Sequence, residues 1–425
     1  MISEEFLHYI WKYKLFNQFE LTTTNHQAVE IQKVGAHNSD AGPDFFNAKL
    51  KVGDTLWAGN VEVHINASDW KKHHHHDDKA YDNIILHVLY DADEKIYRKS
   101  GEEIPTLELK NRIDKSVLEN YSQFVKSKDW IPCEKQVNEV PPHILKITFD
   151  KLLLERLETK SKAITNSLSI NQWNWEATFY EQMARNFGFK TNAEPFELLA
   201  KATPLLVLAK HKSSAFQVEA LLFGQAGFLN QHYQDAYANK LQSEYVFLKQ
   251  KFKLTSIDPH LWKFLRLRPM NFPTIRIAQF AHLIFKSNHL FSVIMETDTY
   301  ADLKKNLSIE ASEYWHTHYV FDKESKRSSK HLGHAAIHTI IINTIVPFIF
   351  IYGKQKNSEV HVERAIKFLE QTEKENNAII SKWRSIGIAA ESAFDTQALL
   401  QLKNEYCTPK KCLNCSIGNY LLKKQ

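Results

Sequence analysis

Leu56-Trp57-Ala58-Gly59-Asn60-Val61-Glu62-Val63-His64-Ile65 reads as a strand, because a period of two puts successive side chains on opposite faces. Trp57, Gly59, Val61, Val63 and Ile65 take one face, so Glu62 and His64 share the other, about 6.5–7 Å apart along the strand. The run before it, Phe45–Val52, is a second strand, opened by Gly42-Pro43-Asp44 and followed by the turn Gly53-Asp54. Paired as a hairpin, the two bring Asp44 to the end of the sheet where Glu62 and His64 project. Two carboxylates beside a ring nitrogen make a donor set for a hard divalent cation, Mg²⁺ or Mn²⁺, and also accept Zn²⁺.

Working outward, Glu4 to Phe16 is an amphipathic helix carrying Phe6, Ile10, Tyr13 and Leu15. Further strand-like runs lie at Ala28–Val34, Ile84–Tyr90 and Thr106–Leu109. Helix, three strands, a polar excursion and further strands make an α+β (or α/β) domain over residues 1–125. Residues 126–145, with Cys133 and Pro132, Pro141 and Pro142, read as a linker. Beyond it the period becomes helical, near 150–168, 173–187, 195–211, 215–229, 237–252, 274–286, 335–352, 360–383 and 394–405. The expectation is a mixed-sheet domain followed by a larger all-helical domain, 146–425, that ends in a Cys-rich segment.

The composition agrees with a folded protein. Apolar residues are 43% and charged residues 24% of 425, which excludes wholesale disorder. Twelve Gly and twelve Pro are too few for a turn-rich all-β chain and thin the supply of phosphate-cradling loops. A net charge of +5 does not by itself imply nucleic acid or a membrane. Four cysteines are no disulfide framework and fit a reducing compartment. With acidic Glu4 and Glu5 where an export signal carries basic residues, a cytoplasmic protein is expected. The apolar stretch Ala335 to Tyr352 is interrupted by His338, Asn343 and Pro347, and reads as a buried core helix rather than a membrane span.

The densest polar cluster runs from Gly35 to His87: His37, Asp40, Asp44, Glu62, His64, Asp69, His73–His76, Asp77, Asp78 and His87. Pro43-Asp44, then Glu62-x-His64 on the next strand, resembles the PD-(D/E)xK motif of the restriction-endonuclease-like nucleases, and the element order is similar to their core. That resemblance implies Asp44 and Glu62 as metal ligands in phosphodiester cleavage. His64 stands where the family has Lys, so it becomes a ligand or a base rather than a fixed cation. It leaves open an active variant, an altered metal site, or a fold that no longer cleaves. The four-histidine run reads as a solvated loop unless His73 or His75 folds back; His87, in an apolar strand, reads as a hydrogen-bonded core histidine.

Cys407, Cys412 and Cys415 form C-x4-C-x2-C, and Cys133 supplies a fourth thiol. Four thiolates suit Zn²⁺ or a [4Fe–4S] cluster, and Lys410 and Lys411 favour the thiolate forms. One cysteine apart from a group of three resembles the iron–sulfur-stapled DNA-processing nucleases, although here the lone cysteine follows the nuclease-like core and the spacing differs.

Residues 249–276 hold seven Lys and Arg against Asp258 alone. Arg266, Arg268 and Arg276 around Pro269 and Pro273 suit phosphate clamping, with Thr274 capping a helix start; inter-helix salt bridging is the structural alternative. Trp173, Trp175 and Phe179 are expected in the core. The small residues of Glu219-Ala-Leu-Leu-Phe-Gly-Gln-Ala-Gly227 suit close helix packing, since no G-x-G-x-x-G pattern is present.

Gly42-Pro43-Asp44-Phe45, Trp57 to His64, Glu219 to Gly227, Asn271-Phe-Pro-Thr-Ile-Arg276 and the terminal cysteines together resemble an uncharacterised bacterial domain-of-unknown-function family, which implies a shared architecture without an activity. The leading expectation is a metal-dependent nuclease in which Asp44 and Glu62 hold the ion, His64 orients or deprotonates water, and the arginines bind nucleic acid. The competing ones are a non-catalytic binding or scaffold protein and a metal-dependent hydrolase of small molecules.

Overall fold

The hydroxyl of Ser3 accepts the Phe6 N–H at 3.2 Å, and Glu4 and Glu5 fill the first turn, where the helix dipole favours negative charge. So begins α1 (Glu4–Lys12) in the computed structural model, which describes residues 2–287 and 289–424. Its apolar positions Phe6, Leu7, Ile10 and Trp11 are buried.

Six strands follow: β1 (Val29–Lys33), β2 (Ala36–His37), β3 (Phe45–Val52), β4 (Thr55–Asn66), β5 (Ile84–Asp91) and β6 (Thr106–Glu108). They form one mixed sheet in the order β1-β3-β4-β5-β6, with β2 also on β3. The pairs β1–β3 and β3–β4 are antiparallel, whereas β4–β5 and β5–β6 are parallel. A parallel neighbour needs a crossover, and residues 67–83 supply it through the short helix α2 (Asp69–Lys72), the histidine run and a 3₁₀ turn. Between Phe45 and Ala48 the register with β4 slips at Asn47, whose φ of 56° makes a bulge just beyond Asp44. Gly59 is required on β4 because a Cβ there would lie 2.5 Å from Ile85 Cγ2 and 2.8 Å from the Asn83 carbonyl.

The chain divides into two units, Met1–Thr148 with Leu402–Gln425, and Phe149–Gln401. The last segment, expected at the end of the helical domain, thus belongs with the sheet. Residues 126–145 are part of that same unit rather than a free linker: Val137 and Ile131 are fully buried, and a long helix starts at Pro142.

The second unit is helical around one core that includes Phe179, Phe223, Phe280, Trp315 and Phe348. It is not all-helical, since His318–Val320 and Lys323–Glu324 pair as a small ribbon. The 195–211 run breaks at Thr203-Pro204, and 360–383 divides into Glu359–Gln371 and Ala378–Ser385. Gly224 packs on the Tyr245 ring so closely that a Cβ would sit 2.1 Å from it, as the small-residue motif implied. Trp173, expected inside, is 50% exposed, while Phe179 is fully buried. One helical span, His334–Gln355, is long and apolar enough to cross a membrane, and 67% of its most apolar stretch is buried within the protein. Its Asn343 accepts a hydrogen bond from Lys160 Nζ at 3.0 Å.

Candidate metal centre

Asp44 and Glu62 meet across β3 and β4. The Asp44 N–H donates to Glu62 Oε2 at 3.2 Å, and Asp44 Oδ2 accepts the Val63 N–H at 2.9 Å. The β3–β4 register makes this possible, because Phe45 pairs with Val61 and the residue before Phe45 then faces the backbone of 62–63. Glu62 and His64 share a face, as the period of two requires, and both are buried.

Four histidines surround them. His8, from α1, brings Nε2 to 3.2 Å from Asp44 Oδ2. His75 brings Nε2 to 3.2 Å from Glu62 Oε1, and His64 Nε2 lies 3.6 Å from the same oxygen. His73 Nδ1 is 3.1 Å from His64 Nε2. The donor nitrogens of His64, His73 and His75 all fall within 4.8 Å of one another. Behind them His64 Nδ1 is hydrogen-bonded at 2.8 Å to Nε2 of His87, which is fully buried on β5.

The crossover explains why alternate histidines enter. His73 closes the turn of α2 onto the Asp69 carbonyl at 2.9 Å, and His74 takes a φ of 58°. His75 then turns back, its N–H on the Trp70 carbonyl at 3.1 Å and its ring stacked on Tyr81 at 3.8 Å. His74 is exposed and His76 faces Asp77 at 3.1 Å, away from the carboxylates.

The Nε2 atoms of His8 and His75 are buried, and each sits 3.2 Å from a carboxylate oxygen. Ring nitrogens and carboxylate oxygens gathered this closely pair with one another when no cation is bound and are placed to share one as ligands. The residues therefore fit a divalent ion. Asp44 and Glu62 would supply oxygen, and His8, His75 and His73 nitrogen.

The electrostatics agree. Burial, with the Asp44 carboxylate second, pushes Glu62 up to about 9, so without a cation its carboxyl keeps a proton at neutral pH. Burial and then His87, His75 and His73 push His64 down to about 2, and burial holds His87 at about 3. Both are neutral imidazoles, the form that ligates. His8 ends above its ordinary value: burial opposes its charge, and Asp44 outweighs that.

His8 is absent from the sequence reading. Its signal was there, a polar residue on one flank of an amphipathic helix, yet nothing local says which strand that flank meets. His64, His73, His75 and His87 lie where the reading put them.

The phosphate cluster is divided. Arg266 and Arg268 are exposed. Arg276 is turned inward: its guanidinium donates to Asn271 Oδ1 at 2.6 Å and Gln279 Oε1 at 2.9 Å and lies over the Phe189 ring at 4.6 Å. A group so enclosed does not reach a nucleic-acid backbone, so the three-arginine clamp is corrected to two. Thr274 does not cap its helix either; its hydroxyl donates to the Tyr319 carbonyl.

The sequence profile of a family described as "Protein of unknown function (DUF2851)" matches residues 4–378. The match takes in the whole histidine–carboxylate cluster and Cys133 and stops before Cys407. No curated protein and no solved structure matches the chain.

Proposed function

The chain belongs to the DUF2851 family, and we propose that it is a divalent-metal-dependent phosphodiesterase acting on nucleic acid. One observation carries the reading: two carboxylates and imidazole nitrogens from α1, the start of β3, β4 and the crossover converge at one end of a mixed sheet, with the buried Nε2 atoms of His8 and His75 each 3.2 Å from a carboxylate oxygen. The antiparallel meander followed by a parallel crossover, with Pro43-Asp44 opening one strand and Glu62-x-His64 on the next, supports the resemblance to the PD-(D/E)xK nucleases.

Asp44 and Glu62 hold the ion, Mg²⁺ or Mn²⁺, and the imidazoles weight the choice towards Mn²⁺. A cation there polarises a phosphoryl oxygen and makes a nearby water a better nucleophile. His64 orients the ligands rather than taking a proton, because both of its ring nitrogens are engaged and its charge is suppressed. A cleft of about 290 Å³ lies beside His75, lined also by Arg98 and Lys99. Arg266 and Arg268 on the helical unit bind backbone phosphates, and a chain with four cysteines in 425 residues suits a reducing cytoplasm.

One observation favours a second reading, a nucleic-acid-binding or scaffold protein that has lost cleavage: the position the nuclease motif gives to a free cation holds a neutral, fully engaged imidazole. The test is incubation of the full chain with single- and double-stranded DNA and RNA in Mn²⁺, Mg²⁺ or neither. Cleavage that requires metal and disappears in Asp44→Ala and Glu62→Ala supports the enzyme. Metal binding with salt-sensitive nucleic-acid binding and no cleavage supports the second reading.

A further inference from the structure

The four cysteines of the chain lie 274 residues apart at their nearest across the gap from Cys133 to Cys407, yet all belong to the same unit. Cys415, Cys133 and Cys412 all act on the Cys407 thiol, Cys415 and Cys412 act on Cys133, and Cys415 acts on Cys412, so the four side chains lie near one another. Cys407 and Cys415 are buried, and Cys133 and Cys412 are half-buried.

The backbone around them is built for convergence. Cys412–Asn414 is a 3₁₀ turn, with the Cys415 N–H on the Cys412 carbonyl at 3.3 Å, which stacks residues three apart on one side. The helix Ser416–Lys423 sits directly on that turn, because a Cβ at Gly418 would lie 2.2 Å from the Cys412 carbonyl oxygen. Lys410 Nζ donates to the carbonyls of Val125 and Ser127 at 2.7 and 2.8 Å, and Lys403 Nζ donates to that of Trp130 at 3.0 Å. These bonds hold the C-terminal segment against the stretch that carries Cys133. The Cys133 N-terminal turn is in place too, with its carbonyl accepting from Gln136 and Val137 at 3.0 and 2.9 Å.

Unliganded cysteines behave as small apolar side chains and disperse into cores. These gather instead, with Lys403 near Cys407 and Lys410 near Cys412. We infer that Cys133, Cys407, Cys412 and Cys415 form a closed four-thiolate metal site, zinc or [4Fe–4S], that ties the C-terminal segment to residues 125–137. Four protein ligands leave no open position, so the site is structural. It stands independently of the histidine–carboxylate centre.

The test uses full-length protein, expressed with zinc and iron both supplied, freed of weakly bound metal on a chelating resin and titrated with an organomercurial. Asp44→Ala/Glu62→Ala protein, run in parallel, removes any metal held at the other centre. Zinc is expected to appear at about one equivalent as four thiols react, or iron with acid-labile sulfide at about four each from a brown protein. Either arm supports the site and tells zinc from cluster. Cys412→Ser/Cys415→Ser should lose that metal, and because this variant can fail to fold, the titration of the unmodified chain decides. Resin-treated native protein whose four thiols all react at once, with no metal released, overturns the inference.

Discussion

The Asp44 N–H donates to the Glu62 carboxylate at 3.2 Å, so the strand that carries one acid positions the other. Asp44 in turn accepts the Val63 N–H, and each side chain therefore has a backbone role besides any ionic one. Charge and shape can be separated by experiment.

Asp44→Asn keeps an oxygen for the Val63 N–H while removing the charge. We expect a melting temperature within a few degrees of the parent, and Mn²⁺ affinity lowered about tenfold or more. Calorimetric titration and thermal unfolding check the two halves. Undiminished Mn²⁺ binding would remove Asp44 from the ligand set.

The histidine run gives an internal control. His75→Ala and His73→Ala should each weaken metal binding by about tenfold or more. His74→Ala and His76→Ala should not, since their nitrogens are not among those that gather with His64 and His76 faces Asp77 instead. Equal losses at all four positions would mean that the loop acts only through its charge.

Arg276 and the exposed pair should part company. Arg276→Ala leaves Asn271 and Gln279 without their donor and opens a void beside Phe189, at a cost of about 2–4 kcal/mol in urea unfolding. Arg266→Ala/Arg268→Ala should leave stability nearly unchanged and reduce the log–log salt slope of nucleic-acid binding by about two. An unaltered slope would take phosphate binding away from this segment.

Acid sensitivity of chelator-treated protein follows from His64 and His87, held at about 2 and 3 against an ordinary 6.5. Below 6.5 the unfolded chain gains two protons that the folded protein refuses, so stability falls on acidification. Glu62 works the other way: at about 9 it keeps its proton when folded, while the unfolded carboxyl loses it above 4.5. His75, depressed, and His8, raised, oppose each other. Together His64, His87 and Glu62 contribute one proton from pH 6.5 to 4.5 and two below it, or about 1.4 and 2.7 kcal/mol per pH unit, to which the depressed His37, His282, His338 and His361 add. Glu62→Gln should steepen the upper slope by about 1.4 kcal/mol per pH unit in urea titrations across this range; a slope that does not change would show that Glu62 ionises when folded.

Much of this was legible locally. Phe45–Val52, by its alternation, and Ile84–Asp91, by its continuous apolar run, coincide with the expected strands to within a residue, and Glu62 and His64 share a face because of the period of two. His73 and His75 were marked as the residues able to return. The break at Pro204 had its local signal in the proline itself, which lacks an N–H and restricts Thr203. The exposure of Trp173 and the inward turn of Arg276 had none, because each depends on what a distant segment presents. His8 is the clearest case: its helix was readable, its partner Asp44 was not.

The chain's own periodicity and punctuation determined which residues form strands and helices and which side chains lie on a common face, since those follow from backbone geometry within a few residues. Tertiary structure alone decided that α1 meets Asp44, that two of four consecutive histidines enter while two leave, and that the C-terminal cysteines return to Cys133. Contacts between segments tens or hundreds of residues apart are selected by the burial and hydrogen bonding of the whole unit, and no local pattern records that choice.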